Sequence, residues 1–350
     1  MANLIKIDGS HGEGGGALLR TALSMSILTQ QPVQIDGIRS GTKYIGLDVE
    51  DLTLIKCLRD LCNADVSGLT HGSLSILFSP KRAIRPLRGE ILTERNPNGR
   101  GSNALVIAST LVPLLARAGG MSSFSITGET HTNFSMTYDY FQGILVPIWR
   151  KMGLAVQADL ERASFSREGN GIITLEVEPS QLEGINWTEK GEPKLLQASV
   201  TTTGKNASFA ERAKSHLQKL AHSSKQRIDI TTFEAEGEGT MGYVAAWMRY
   251  ETAIGGGGEA SQKNSRPEQV AQNAFEKCFE FMTSDATVDP IGAEHILLPA
   301  CFASSNTEIL VSHLTSRLLT SIWVIKQFSP VRIVVRGNQD QFGQVSIHRD

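Results

Sequence analysis

Cysteine is scarce in this chain, long apolar runs are missing, and neither sign of charge dominates its 350 residues. The four cysteines, Cys57, Cys62, Cys278 and Cys301, show no CxxC spacing, and three of them fall in apolar helical stretches. That excludes a disulfide framework and the common zinc patterns, and it points to core thiols in a reducing compartment. No stretch approaches the ~20 apolar residues of a membrane span. Lys6 and Asp8 interrupt the apolar opening, so a secretory leader is not expected either, and the expected location is cytoplasm or nucleus. A formal net charge of −2 gives no global attraction to nucleic acid, so any such contact must come from a local basic patch.

What is present is a glycine run, IDGSHGEGGGALLR at 7–20, between a short apolar strand and an amphipathic helix. Gly12, Gly14, Gly15 and Gly16 free the backbone to turn tightly, and a helix beginning there aims backbone N–H groups at an anion. Glu13 is placed to hold a divalent cation beside a phosphate, Arg20 supplies a fixed positive charge one turn into the helix, and His11 is a further candidate for phosphate contact. The run lacks the lysine of the GxxxxGK[ST] loop, and its spacing is wrong for the dinucleotide fingerprint. With 40% hydrophobic and 20% charged residues the chain can bury one large core or two ordinary ones.

Hydrophobic period gives strand 3–8, helix 15–29, strand 33–38, helix 47–63 and strands near 64–68 and 73–79. The order returns as strand 85–93, helix 102–119, strand 122–127, helix 138–153 and strands near 154–159 and 171–178. It nearly returns again as helix 292–304, strand 308–313, helix 317–328 and strands 331–337 and 344–348. The expected class is therefore α/β (α+β), a main domain of three βαβαββ units over 1–184 and 284–350, with an inserted α/β domain at 185–283. Within the insert, strands at 195–203, 226–232 and 242–251 accompany helices 208–223 and 267–283. ETAIGGGGEASQKNSR at 251–266 reads as a mobile loop. Helix 208–223 carries Arg212, Lys214, His216, Lys219 and His222. Glu211 interrupts that face and aromatic residues do not interleave it, so it reads as a solvated surface.

IDGSHGEGGGALLRTALSMSILTQQPVQI, followed by GIRSG and GLDVEDLTLIK, resembles the N-terminal signature of the RNA 3′-terminal phosphate cyclases. The likeness continues through GETHTNFSMTYDYFQGILVPIWRKMG, RASFSREGNGIITLEVEP, GAEHILLPACFAS and SHLTSRLLTSIWVIKQF, with the N-terminal match the most specific. It implies the same three-unit fold with an insert. It also implies RNA processing by an ATP-dependent ligase-type reaction. A histidine attacks the α-phosphate of ATP, AMP passes to an RNA 3′-phosphate, and the 2′-OH displaces it to leave a 2′,3′-cyclic phosphate. Mg²⁺ or Mn²⁺ would lie at Glu13. Arg20, Arg39, His11, Gly14 and Gly15 would meet phosphate or RNA, and Ser109, Ile291, Gly292, Ala293, Glu294 and His295 would line the ATP side.

The chain departs from that pattern at several places. Arg317 stands at the nucleophile position, and a guanidinium stays protonated and has no lone pair to offer. Thr42 replaces a second arginine, Glu50 and Asp51 replace Gln-His, Ser109 replaces a glutamine, and Met136 and Thr137 replace paired prolines. Glu294 and His295 stand in the usual Ala-Asp-Gln. His313, four residues before Arg317, is the candidate substitute nucleophile, ahead of His295. Two readings follow: a divergent cyclase, or a non-catalytic protein that binds RNA ends or a protein partner. The second resembles the cyclase-like ribosome-assembly factors, which also lack the histidine but do not usually keep GEGGG. The enolpyruvyl transferases share the repeated unit, but their Lys and Arg signatures are not evident. DNA is not an expected partner.

Overall fold

The computed structural model describes residues 3–93, 102–132, 136–165, 170–204, 206–237, 239–262, 264–328 and 331–348. Residues 133–135 and 166–169, within two of the segments that carry the family resemblance, lie outside them. Among the described residues the chain is an α/β protein with four mixed four-stranded sheets.

The first sheet follows β1 (Ile5–Asp8), α1 (Gly16–Thr29), β2 (Val33–Asp36), α2 (Val49–Cys62), β3 (Asp65–Ser67) and β4 (Ser75–Ser79), with spatial order β1-β2-β4-β3. The second follows β5 (Arg88–Leu92), α3 (Ala104–Leu115), β6 (Ser122–Gly128), α4 (Tyr138–Tyr140), a π-helical turn (Phe141–Leu145), α5 (Val146–Lys151), β7 (Val156–Arg162) and β8 (Gly171–Val177). Its order is β5-β6-β8-β7. A two-residue strand, β9 (Asn186–Trp187), precedes a segment that forms a sheet of its own: β10 (Pro193–Thr202), α6 (Ala207–Ser223), β11 (Ile228–Glu234), β12 (Gly242–Tyr250), β13 (Ile254–Ala260) and α7 (Pro267–Thr283). The chain then completes a sheet with β9 through α8 (Pro290–Cys301), β14 (Thr307–Val311), α9 (Ser316–Phe328), β15 (Arg332–Arg336) and β16 (Gly343–His348). The order there is β9-β14-β16-β15. In all three sheets the first two strands are parallel and the remaining pairs antiparallel.

Local chemistry explains where the helices start. Asp48 and Asp51 form a reciprocal capping box at α2, Asn103 accepts from the amides of Leu105 and Val106 at α3, and Asp289 accepts from Ile291 and Gly292 at α8. Pro290, at the first helical position, extends that last helix two residues before the expected start, and it closes at Cys301 rather than 304. The helix expected over 138–153 is broken into α4 and α5 by the π turn.

In the sheet β11-β10-β12-β13, strand β12 is buried on both faces with a period of two, while the edge strand β11 is largely exposed. Val244, Ala246 and Met248 pack with Leu196, Ala198, Val200 and the inner faces of α6 and α7, whereas Tyr243, Ala245 and Trp247 join the large core of the rest of the molecule. On α6, Phe209, Ala213, Leu217 and Ala221 bury every fourth residue, and the basic face outside them is answered by α7. Arg212 makes two 2.8 Å bonds to Glu268, and His216 bonds Gln272.

The glycine-rich stretch expected to be a mobile loop is strand β13. Gly255 to Gly258 pair with Ala245 to Met248, and none of the four takes a positive φ. Their smallness serves close packing: an added Cβ would stand 2.6 Å from the Phe281 ring at Gly255 and 2.0 Å from the Tyr243 hydroxyl at Gly258. All four cysteines are unpaired, with Cys57 half-buried and the others buried. No helix among the described residues is long and apolar enough to cross a membrane.

Candidate functional site

The glycine loop leaves β1 and enters α1 against α9. Gly12 has φ +60°, and a Cβ there would come 2.2 Å from Thr320 Oγ1, so both the turn and the close approach require glycine. The Glu13 amide donates to that Thr320 hydroxyl at 3.1 Å, and the Gly14 amide to the His11 carbonyl at 2.9 Å. Gly15 caps α1 with no side-chain bond, leaving the first turn of the helix open. A Cβ on Gly16 would lie 2.6 Å from Arg20 Nη1 and 3.0 Å from Arg39 Nη2, so two guanidiniums converge over this bare backbone. Of the other loop candidates, His11 stacks on Trp323 of α9 with ring centroids 3.7 Å apart.

Every arginine here already faces a carboxylate. Arg39 is buried and holds Asp51 through both Nη atoms, with Asp48 at 3.4 Å and the Gly46 carbonyl at 2.9 Å. Arg20 lies 3.8 Å from Glu50, whose other oxygen accepts the Asn103 amide at 2.8 Å. Arg317 reaches both oxygens of Glu13, at 3.1 and 3.3 Å, and stands 3.9 Å from Glu294. Three cations are thus set among five carboxylates. Burial pushes Glu50 up to about 7 against the pull of Arg20, and it raises Glu294 against Arg317 and Arg20.

Between α1, α3, α8 and α9 a cavity of about 50 Å³ is lined by Arg20, Ser109, Glu294, His295 and Ser321. Burial, reinforced by Arg20 and Arg317, pushes His295 down to about 3, so its imidazole is neutral at ordinary pH. The structure therefore brings Glu13, Arg20, Arg39, Arg317, Ser109, Glu294 and His295 around one cleft. Gly292 and Ala293 are buried in α8, with the amides of Ile291 and Gly292 taken by Asp289, and the Ile291 side chain is exposed. His313 is placed elsewhere: its Nδ1 lies 3.4 Å from Glu280 of α7, and no hydrogen bond or ion pair joins it to Glu13, Arg20 or Arg317.

A second polar cluster escaped the sequence reading. Asp139 is buried and accepts from His131 Nε2 or shares its proton at 2.7 Å, while Ser199 and Thr201 of β10 donate to its other oxygen at 2.5 and 2.8 Å. Burial works against the ionised carboxyl, but these partners hold it below the usual carboxylate range. The signal in the sequence was the alternation Ser199-x-Thr201 on a strand otherwise apolar at 196, 198 and 200. It marks a sheet face turned toward something polar.

A model of the family described as RNA 3′-terminal phosphate cyclase matches residues 11–335. The RNA 3′-terminal phosphate cyclase of Nostoc punctiforme is 32% identical over 335 residues, covering 95% of this chain and 96% of that protein. The one from Thermococcus gammatolerans is 30% identical over 350 residues, covering 99% and 98%. Among solved structures, the enolpyruvyl transferase NikO from Streptomyces tendae gives a TM-score of 0.29 at 15% identity over 50% of this chain and 33% of that one, too slight a likeness to carry an argument.

Proposed function

The chain belongs to the RNA 3′-terminal phosphate cyclase family, and from that premise we propose that it binds RNA 3′ ends without carrying out the adenylylation that the family resemblance implies. The observation that carries this reading is the Arg317 guanidinium, seated on Glu13 at the position where the resemblance puts the nucleophile. Attack on an α-phosphate requires a lone pair, and a guanidinium has none at any working pH.

The residues present do not fit a nucleoside triphosphate with its metal ion. The arginines that would face the phosphates are matched internally by Glu50, Asp51, Asp48, Glu13 and Glu294, so a polyanion entering the cleft meets no unpaired positive charge. Glu13, the carboxylate proposed for a metal, is engaged by Arg317. No step is therefore derived through ATP. We read the three sheets of order first-second-fourth-third as copies of one βαβαββ unit; of the segment at 185–283, β9 is the first strand of the third unit, and the part after it is an insert before that unit's first helix.

The test is incubation with α-labelled ATP and Mg²⁺ or Mn²⁺, followed by assay for acid-labile, protein-bound AMP, alongside binding of a labelled RNA bearing a 3′-phosphate. No protein-bound AMP is expected, while the RNA binds. Label that disappears in His295→Ala or His313→Ala would sink the non-catalytic reading. His295 is the stronger of the two as a relocated nucleophile, because its neutral ring lines the cleft and His313 does not.

A further inference from the structure

A cavity of about 710 Å³ lies away from the glycine loop, between the π turn and α5 on one side and the outer face of β10, β11 and β12 on the other. Its size is that of pockets taking ligands larger than a single small ion. Three cations line it, Arg150 and Lys151 from the end of α5 and Arg249 from the end of β12, and among the described residues none of them forms an ion pair with a carboxylate. The one acid at the wall, Asp139, has both oxygens occupied by His131, Ser199 and Thr201. The floor is the Trp247 indole, packed so closely on the π turn that a Cβ at Gly143 would stand 2.9 Å from it, and the rim is Phe233, 49% exposed. Two polar atoms here are buried without a hydrogen-bond partner, Gln142 Oε1 and Arg249 Nε. Buried polar atoms are rarely left so, and an acceptor and a charged donor side by side ask for a ligand carrying both complements.

We propose that this cleft holds a single-stranded stretch of RNA upstream of the 3′ end, with phosphates on Arg150, Lys151 and Arg249, one base stacked on Phe233, and a base N–H donated to Gln142 Oε1. The inference rests on the RNA-binding reading above and adds the surface that does the holding. Arg150 and Arg249 are oriented by the carbonyls of Val156 and Gly143 and keep their charge unneutralised, which suits a backbone of regularly spaced phosphates, and the exposed ring supplies the sequence-tolerant stacking face that single strands use. Burial, and after it the neighbouring Arg150, lower the Arg249 guanidinium, and an incoming phosphate offsets both. The cations and rings come from separate elements, so the cleft exists only because the β10–β12 face docks on the π turn.

Fluorescence anisotropy with a 5′-labelled 12-nucleotide RNA tests it, in forms ending in a 3′-hydroxyl and a 3′-phosphate. Wild type is expected to bind both, with log affinity falling against log salt at a slope of about −2 for three phosphate contacts. Arg150→Glu with Lys151→Glu should weaken both strands at least tenfold and reduce the slope to below about −1. Phe233→Ala should cost between about fivefold and a hundredfold, and Phe233→Trp should restore binding. These side chains are at the surface, so an unchanged melting temperature shows that the variants are folded. If wild type binds and the variants bind equally, the cleft is not the RNA path and this inference falls while end binding stands. Failure of wild type to bind either strand overturns both. Competition by free UMP at the same concentration as the 12-mer would make the cleft a mononucleotide pocket, and equal binding of a poly-glutamate peptide would make it a protein-docking surface; either overturns the proposal.

Discussion

Two clefts of this molecule carry three guanidinium or ammonium groups each, and they differ in what those groups face. Around the glycine loop, Arg20, Arg39 and Arg317 meet Glu50, Asp51, Asp48, Glu13 and Glu294 at ion-pair distance. Beside α5, Arg150, Lys151 and Arg249 pair with no carboxylate among the described residues, and a buried acceptor and donor stay unbonded there. Positive charge in a concave surface is evidence for an anionic ligand only when the protein has not already supplied the anion. By that standard the α5 cleft, and not the glycine loop, is the surface we propose for an anionic ligand.

The largest test of this contrast falls on the wall of the open cleft. Asp139→Asn removes the charge that holds His131, Ser199 and Thr201 together, and breaking a buried, hydrogen-bonded pair from one side costs about 3 kcal/mol or more. Urea unfolding should show the midpoint falling with an unchanged slope. Because the folded carboxyl is held low, its contribution is present above the unfolded carboxylate value and is lost as pH falls through the folded one. The variant should therefore lose most stability near neutrality and converge with wild type in acid. Next is Gly12→Ala, which meets both a positive φ and the Thr320 hydroxyl and should cost about 1–3 kcal/mol in thermal melts. A melt identical to wild type would mean that the loop does not seat on α9 as described.

The closed cleft was more legible in the sequence than the open one. Its glycines, Glu13 and Arg20 fall within nine residues, and the acids at 50 and 51 stand two short elements later, so one continuous reading collects them. Arg317 was equally visible, since its meaning comes from the residue type. The partner it would choose was not, because Glu13 is 304 positions away. The open cleft draws on residues near 150, at 233 and near 249, and no spacing rule joins a helix end to two strand faces that meet only in the fold. Gly255 to Gly258 were misjudged for a related reason. Glycine is a poor strand former on its own, and the rings of Phe281 and Tyr243 that demand it there are remote in sequence.

A smaller effect separates the clefts by pH. The folded Glu50 carboxyl is raised to about 7, so between its unfolded value and 7 the native state binds more protons than the unfolded one. Stability contributed by that position therefore falls as pH rises across this window, by at most about 3 kcal/mol. Glu50→Gln should flatten the fall, which pH-dependent melting between 4.5 and 7.5 would reveal. A steeper fall in the variant would show that Arg20 keeps Glu50 ionised throughout, and the cleft would carry more negative charge than described.

The smallest change in stability is expected from Glu13→Gln, and it bears most directly on the contrast. Arg317 and Glu13 are both partly exposed, so losing their pair should shift the melt by less than about 1 kcal/mol. What should change is anion binding. With Glu13 neutral, Arg317 retains only the more distant Glu294, and the cleft becomes more receptive to a compact polyanion. Titration with inorganic pyrophosphate should show no measurable heat for wild type and weak, salt-sensitive binding for the variant. Pyrophosphate binding to wild type as tightly as to Glu13→Gln would mean that the internal carboxylates yield to an incoming ligand, and the closed cleft would then be a working phosphate site.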